Sequence, residues 1–173
     1  MGLFIKTFIF YLATIALSVS ASVNLDVQSL TVDVRSVNEN VYYYDGSIGN
    51  FTLIDAGFTT VHNGTQKAIA DTIVLVPSTP TELDEIVRLI SQSLRSYIVR
   101  LMDDLKPKKA DFASNGLLGS VIARLEVMKR DFQAFEKVLI EKPSEEESLP
   151  HMIEAAFDSI NSAVITAIDF LAN

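Results

Sequence analysis

The sequence predicts an all-α protein, a bundle of about five amphipathic helices that follows a signal peptide. Three observations predict this fold. Apolar residues recur at spacings of three and four through most of the chain. The segments that carry this pattern are joined by short connections of turn-forming or acidic residues. The chain contains no cysteine, so neither disulfides nor cysteine-ligated metal can stabilise it in place of a packed core.

Residues 1–21 have the features of a secretory signal peptide. Lys6 gives a positively charged start, residues 7–19 are apolar, and Val19-Ser20-Ala21 fits the small-residue pattern of a signal peptidase site. A retained anchor is the weaker alternative, because the apolar run is shorter than the roughly 20 residues that span a bilayer. We therefore expect a secreted protein without a transmembrane span, whose residues 22–173 form one helical bundle domain.

Charge and glycosylation motifs agree with a secreted protein. Loss of Lys6 with the signal peptide would leave 13 of the 14 basic residues against 22 acidic ones, so the formal net charge of −8 becomes −9. Nucleic acid is not an expected partner, because its phosphates would be repelled. The tripeptides Asn50-Phe-Thr and Asn63-Gly-Thr are acceptors for N-linked sugar. They predict glycosylation on a solvent-facing surface formed by the first half of the chain.

The first segment carries one apolar stripe formed by Val23, Val27, Leu30, Val34, Val37, Val41 and Tyr44. A strand is the local alternative, since Leu30, Val32 and Val34 alternate with polar residues and valine favours strands. The alternation breaks at Gln28-Ser29 whereas the helical stripe continues, so a helix is favoured. Two glycines in residues 45–49 are expected to end it.

The second segment has a weaker pattern. Its shared face would contain Ile54, Phe58, Val61, Ala68, Ile69, Ile73 and Val76. Gly64 interrupts the middle and residues 72–76 are rich in strand formers, so a kinked helix is expected. Two prolines in residues 77–80 then break the chain, and Thr81 followed by Asp84 resembles a capping box at the start of the next helix.

The third segment has the strongest pattern. Its stripe contains Leu83, Ile86, Ile90, Leu94, Tyr97, Leu101 and Leu105, widened by Val87, Ile98 and Met102. At its end Lys106, Lys108 and Lys109 surround Pro107, where cations oppose the negative end of the helix dipole by about 0.3–1 kcal/mol each. Because proline prevents the helix from continuing unchanged, the cluster predicts a helix stop.

Two further segments complete the bundle. The fourth, between Asn115-Gly116 and Lys142-Pro143, has the stripe Leu118, Val121, Leu125, Met128, Phe132, Phe135 and Leu139. Residues 144–148 form an acidic linker, and Pro150 suits the first turn of a fifth helix. The stripe of that helix is Ile153, Phe157, Ile160, Val164, Ile168 and Leu171. Such helices bury their stripes side by side, either as a solid bundle or around a ligand, and periodicity leaves both arrangements open.

Residues suited to catalysis or metal binding are scarce. His62 and His151 are the only histidines, and because neither belongs to a metal-binding helix motif, both are interpreted as surface residues. The sequence has no nucleophile elbow, and the glycines of residues 115–120 lack the lysine that a P-loop needs. We therefore expect a protein that is not an enzyme and has no cofactor or metal site.

The order of these features resembles the fungal hydrophobic surface-binding protein A and cell-wall galactomannoprotein family. A signal peptide precedes a cysteine-free chain, Leu105-Lys-Pro-Lys-Lys109 is followed by Phe112 and Gly116, and the apolar residues from Val121 to Phe170 keep the rhythm of that family. The lysine-rich helix stop with Phe112 and Gly116 is the most specific part of the resemblance. Residues 42–44, three tyrosines in a row, depart from the pattern of the family.

The resemblance implies a secreted or wall-associated glycoprotein, without enzymatic activity, that adsorbs to hydrophobic surfaces. Some members of the family enclose fatty acids, which makes fatty acids or other lipids the expected ligands and cell-wall polysaccharide a further candidate partner. No binding residue has a motif that transfers to this chain. A lining is therefore inferred from mid-helix positions on the apolar faces, with an ordinary core as the alternative role: Val37, Val41, Phe58, Ile90, Leu94, Leu125, Met128, Phe132 and Ile160.

Three functions remain open from the sequence. The first is a carrier that holds a fatty acid inside a closed bundle. The second is a surface-active protein whose bundle opens to lay its apolar stripes on an interface, as amphipathic helices do. The third is a secreted helical effector or inhibitor that docks on a wall or host protein. Plant invertase and pectin-methylesterase inhibitors are bundles of similar size, but they use disulfides, which this chain lacks.

Overall fold

All five predicted segments are helical in a computed structural model of the chain. The structure describes residues 2–75, 80–144 and 147–173, and the side chains of residues 22–75, 83–144 and 147–173. Over the described residues there is no strand, and the helices are α1 (Gly2–Tyr42), α2 (Ile48–Val74), α3 (Pro80–Leu89), α4 (Arg95–Leu105), α5 (Lys109–Ser114), α6 (Leu118–Ile140) and α7 (Leu149–Ala172). The side chains of the predicted signal peptide lie outside the described residues, so that assignment stays a prediction.

Three of these helices form one long third segment. A π-helical turn, Ile90–Leu94, joins α3 to α4, and a 3₁₀ turn, Lys106–Lys108, joins α4 to α5. The predicted stop at Pro107 is therefore a tightened turn followed by one more short helix. The chain then reverses at Gly116, whose positive φ of 67° closes the end of α5. The N–H of Leu117 donates to the carbonyl of Phe112 at 2.8 Å, which is the pairing of a Schellman motif.

The long helices close into a ring. α1 packs on α2 and α4, α2 packs on α6, α6 packs on α7, and α7 packs back on α4. The order around the ring is therefore α1, α2, α6, α7, α4. The buried stripes of these helices meet inside the ring in one apolar cluster that runs from Val23 to Leu171. The core is thus a single volume enclosed by five helical walls.

The predicted stripes of the first, third, fourth and fifth segments are confirmed. Their members are buried in the core, except Tyr97 and Leu118, which are half-buried against it. The strand alternative for residues 30–34 is wrong, because these residues lie inside α1.

The second segment differs from its prediction. α2 is one α-helix from Ile48 to Val74, and its buried face is Ile54, Phe58, Val61, Thr65, Ala68 and Thr72, followed by the buried C-cap residue Leu75. Ile73, which was expected on that face, is 60% exposed, and Val76 lies outside the described residues. Two threonines occupy core positions because their hydroxyls donate within the helix: Thr65 to the Val61 carbonyl at 2.8 Å and Thr72 to the Ala68 carbonyl at 2.6 Å.

The glycines of α2 permit close packing and do not divide the helix. A Cβ on Gly57 would lie 2.7 Å from Cγ2 of Val37, so only glycine lets α2 approach α1 this closely. A Cβ on Gly64 would lie 3.4 Å from Oδ2 of Asp33 and 3.6 Å from Cδ1 of Leu30. Both glycines therefore face α1. Gly64, which suggested a kink in the sequence, lies instead at a close contact between the two helices.

Candidate functional site

The nine predicted lining residues are brought together in the core. They come from four walls of the ring and from the π-helical turn that leads into the fifth wall, α4: Val37 and Val41 from α1, Phe58 from α2, Ile90 and Leu94 from the π-helical turn, Leu125, Met128 and Phe132 from α6, and Ile160 from α7. Each is at most 4% exposed, and all belong to the same apolar cluster. Their burial is observed, and their contact with a lipid remains a prediction.

Branched aliphatic side chains make up most of this core, and phenylalanines and two methionines lie among them. Phe135 of α6 and Phe157 of α7 meet edge to face with ring centroids 5.8 Å apart. Met102 of α4 and Met128 of α6 are buried in the same cluster. Because methionine is flexible and packs well against rings, these two side chains are suited to rearrange around an apolar guest.

Tyr44 places a polar atom in this apolar interior, a feature that the helical stripe did not reveal. The residue is 2% exposed and its ring stacks on Phe112 with centroids 4.6 Å apart. Its hydroxyl is buried and has no hydrogen-bond partner among the described residues. Burial raises the pKa of the phenol, with a further rise from the charges of Asp111 and Asp45, so the hydroxyl stays protonated as a donor. A buried donor of this kind is costly until an acceptor reaches it.

Polar side chains lie at the seams between the helices. Oδ2 of Asp131 lies 2.7 Å from Nδ1 of His62, and Oδ1 of Asp131 accepts from Gln66 at 2.8 Å, which ties α6 to α2. The interpretation of His62 as a surface residue is therefore incomplete, because its half-exposed ring binds a buried carboxylate. His151, by contrast, is exposed at the start of α7.

A second polar group joins α1 to α2. Lys67 binds the carboxylates of both Asp26 and Asp71, and Ser22 donates to Oδ2 of Asp71 at 2.6 Å. Burial raises the pKa of Asp26 even though Lys67 opposes the rise. Hydrogen bonds from Ser22 and Lys67 lower the pKa of Asp71. The arrangement is that of a partly buried ion pair at a helix seam.

The part of the chain that the structure describes contains no group of three histidine, aspartate or glutamate side chains placed to hold a metal.

Lysines bind the carboxyl-terminal ends of neighbouring helices. Lys108 donates to the carbonyl of Tyr44 at 2.7 Å, just beyond α1, and Lys109 donates to the carbonyl of Phe170 at 2.8 Å, in the last turn of α7. Lys142 donates to the carbonyls of Ile73 and Leu75 at 2.7 and 3.0 Å, at the end of α2. The lysine cluster was expected to act on the dipole of its own helix, but Lys108 and Lys109 reach other helices because the 3₁₀ turn directs them across the end of the bundle.

The two predicted glycosylation sites differ in accessibility. Asn63 is exposed on α2, beside a groove of about 380 Å³ between α1 and α2. Asn50 is half-buried in the first turn of α2, where its amide donates to Oδ1 of Asp45 at 2.9 Å. Attachment of sugar to either asparagine stays a prediction.

Among the helical residues whose side chains the structure describes, those of α7 alone have the length and composition of a membrane-spanning helix. Its apolar stripe, however, faces the other walls of the ring, and Ile153, Phe157 and Ile160 are at most 2% exposed. Polar residues such as Glu154 and Asp158 lie on its outer face. Packing in the core of the bundle therefore explains the apolar character of α7.

Several solved structures share this fold. Among solved structures, AfMP4p in complex with palmitic acid matches with a TM-score of 0.83 and 16% identity, over 88% of this chain and 99% of that one. Ligand binding domain 1 of the Penicillium marneffei MP1 protein, complexed with arachidonic acids, matches with a TM-score of 0.78 and 17% identity, over 90% and 98%.

Domain 2 of the same MP1 protein, complexed with multiple arachidonic acids, matches with a TM-score of 0.77 and 18% identity, over 91% of this chain and 96% of that one. At these identities the likeness establishes the fold. A search of curated protein sequences gave no match. A family profile described as hydrophobic surface binding protein A matches residues 20–141, most of the chain. The chain therefore belongs to the hydrophobic surface binding protein A family.

Proposed function

We propose that this protein is a secreted, non-enzymatic glycoprotein that holds a fatty acid or a related lipid between the helices of its bundle. The observation that carries the proposal is the closed ring of five amphipathic helices around one apolar core. Two facts support it: the chain belongs to a hydrophobic surface binding family, and its fold is shared with proteins whose structures hold palmitic or arachidonic acid.

The core has the chemistry that an alkyl chain needs. Its members come from all five walls, so a chain inserted along the ring axis would contact apolar side chains on every side. Each buried methylene group contributes about 0.8 kcal/mol, so a long acyl chain would bind tightly without a strong polar contact. The methionines and phenylalanines would move aside to admit it.

Tyr44 would receive the polar end of the lipid. It continues the buried stripe of α1 one turn beyond Val41, so its hydroxyl lies at one end of the core. A lipid oxygen at this point would accept the hydrogen bond that the hydroxyl lacks. The single polar contact would then set the orientation of the lipid, while burial of its chain supplies the affinity.

A matched pair of substitutions on α1 tests the interior site. Val41→Phe adds volume to the core, whereas Val32→Phe makes the same change on the outer face of α1, where Val32 is 64% exposed. We expect Val41→Phe to weaken fatty-acid binding at least tenfold, because the larger side chain takes up space that the lipid would occupy. The protein should stay folded, since overpacking costs only about 1–3 kcal/mol of stability. Val32→Phe should leave binding unchanged. Displacement of a fluorescent fatty acid measures the affinity, and equal affinities for the two variants would exclude the interior site.

A second function is adsorption to hydrophobic surfaces by an opened bundle. The family description names this activity, and each long helix carries an apolar stripe that could lie on an interface. Large apolar side chains are already exposed near both ends of the bundle, Ile48 at one end and Val74 at the other. The two functions differ in one physical requirement, since adsorption of the stripes needs the helices to separate and enclosure of a lipid does not.

A further inference from the structure

A groove outside the core has a lining that the lipid site does not use. It lies between α1 and α4, has a volume of about 700 Å³, and is within the size range of small-molecule pockets, about 300–1,000 Å³. Three tyrosines line it, Tyr42 and Tyr43 at the end of α1 and Tyr97 on α4. The first two belong to the run of three tyrosines at residues 42–44.

The tyrosines present aromatic faces to solvent. Tyr42 is 56% exposed and Tyr43 is 74% exposed, and their rings meet edge to face with centroids 5.1 Å apart. Tyr97 is half-buried against the core, and its hydroxyl lies near the guanidinium of Arg35. Rings of this kind offer a broad apolar surface with a polar edge, which suits a ligand that is apolar on one face and hydroxylated at its rim.

The charges in the groove are balanced. Arg35 pairs with Glu39 at 2.9 Å on α1, and Arg100 lies 3.6 Å from Oδ2 of Asp104 on α4. Asn38, which is 4% exposed, fixes Asp104 through a 2.8 Å hydrogen bond from Nδ2. Each arginine therefore already faces a carboxylate, so an anionic ligand would gain little by entering. What the groove offers is a set of planar donors and acceptors without net charge.

We infer that this groove is a binding site for a neutral carbohydrate. The C–H face of a pyranose ring packs on Tyr43, the more exposed ring, while the perpendicular ring of Tyr42 borders the sugar from the side. The hydroxyl groups of the sugar exchange hydrogen bonds with Arg35, Glu39 and Arg100. The site is separate from the apolar core, so one face of the bundle would hold a polysaccharide while the interior holds a lipid. Neutral wall polysaccharide and an N-glycan of the protein itself share this chemistry, and the experiment distinguishes them.

Affinity electrophoresis of the mature protein, before and after removal of N-glycans, tests the inference. Native gels contain laminarin, yeast mannan or hydroxyethyl cellulose as neutral polymers, and polygalacturonate as a charged one. We expect at least one neutral polymer to retard the stripped protein more than polygalacturonate does. Retardation only after stripping would show that the chain's own sugar competes for the groove. Absence of retardation by every neutral polymer, or stronger retardation by polygalacturonate, would overturn the inference.

Variants assign any retardation to the groove. Tyr43→Ala should weaken binding about three- to tenfold, whereas Tyr43→Phe, which keeps the ring, should not. Arg100→Ala on the opposite wall should also weaken it. Leu53→Ala removes a side chain that is as exposed as Tyr42 but lies outside the groove, and should have no effect. Retardation that survives in the Tyr42→Ala/Tyr43→Ala double variant would place the sugar elsewhere. Fatty-acid affinity should stay unchanged in all of them, which separates this site from the lipid site.

Discussion

At the scale of single residues, Tyr44 carries a buried hydroxyl that a ligand can satisfy. Its ring is satisfied by stacking on Phe112, but its hydroxyl is buried without a partner among the described residues. Leaving a polar group in that condition costs about 1–3 kcal/mol. Such a cost is common where a protein is shaped for a bound molecule, because the ligand removes it.

Tyr44→Phe separates stability from binding. Without lipid, the free energy of unfolding of the variant should equal that of the parent or exceed it by up to about 1–3 kcal/mol, because the uncompensated hydroxyl is gone. Its affinity for fatty acid should fall about two- to tenfold, because the hydrogen bond to the lipid is lost. Urea unfolding of delipidated protein measures the first effect, and fluorescent fatty-acid displacement measures the second. A destabilised variant with unchanged affinity would show that Tyr44 has a structural role only.

The spacing of apolar residues in the sequence predicted most of the core. The buried positions of α1, α6 and α7 follow from apolar spacing, and the nine inferred lining residues are all buried. Thr65 and Thr72 were missed because a polar residue was read as exposed, although the helix backbone can accept its hydroxyl. The unpartnered hydroxyl of Tyr44 was also beyond the pattern, since spacing fixes which face a residue occupies and not what its polar atom contacts.

At the scale of secondary-structure elements, the helices stabilise one another through their ends. Lys142 follows α6 and donates to two carbonyls at the end of α2, Ile73 and Leu75. These carbonyls carry the negative end of the α2 dipole, so the ammonium satisfies two acceptors and a partial charge at once. Burial lowers the pKa of Lys142, because the ammonium is partly desolvated where it meets these carbonyls.

Lys142→Met tests this connection between helices. We expect the free energy of unfolding at pH 7 to fall by about 1–2 kcal/mol, because hydrogen bonds from a charged donor and a favourable dipole contact are lost together. The control is Lys137→Met, an exposed lysine in the last turn of α6, which should change stability by less than about 0.5 kcal/mol. Equal losses for the two variants would indicate a general effect of charge.

The elements also show where sequence reasoning fails. Gly64 and the strand-forming residues after it suggested a kinked second helix, but α2 is continuous. Secondary-structure propensity depends only on neighbouring residues in the sequence. Gly57, however, is needed because of another helix: a Cβ at this position would lie 2.7 Å from the side chain of Val37 on α1. Likewise Lys108 and Lys109 were correctly placed at a helix end, but their acceptors belong to segments more than 60 residues away in sequence.

At the scale of the whole molecule, the fold class was predictable and the ring was not. Five amphipathic stripes require a helical bundle, because each must be covered by another. Periodicity does not say which stripe covers which, so the order α1, α2, α6, α7, α4 emerges only from the structure. This order matters for function, since a closed ring gives the core a wall on every side.

An engineered disulfide tests whether the bundle must open to adsorb. Val37→Cys with Gly57→Cys joins α1 to α2 at a point where the two Cβ atoms would lie 3.7 Å apart, which suits a disulfide. The chain has no other cysteine, so only this bridge can form. If adsorption requires these helices to separate, the oxidised protein should bind hydrophobic beads less than the same protein after reduction. Because Val37 is one of the predicted lining residues, lipid binding is compared only between the oxidised and reduced forms of this variant, and it should be the same in both.

The central claim, that a lipid occupies the interior of a closed ring, is tested most directly by native mass spectrometry. The sample is the mature protein secreted from a eukaryotic host, stripped of N-glycans, and measured before delipidation, after it, and after addition of palmitic acid. We predict a discrete adduct of fatty-acid mass that disappears on delipidation and returns with added lipid, and that is weakened by Val41→Phe but not by Val32→Phe. Protein that remains without adduct in excess palmitic acid, yet still coats hydrophobic beads, would contradict enclosure and identify the opened bundle as the working state.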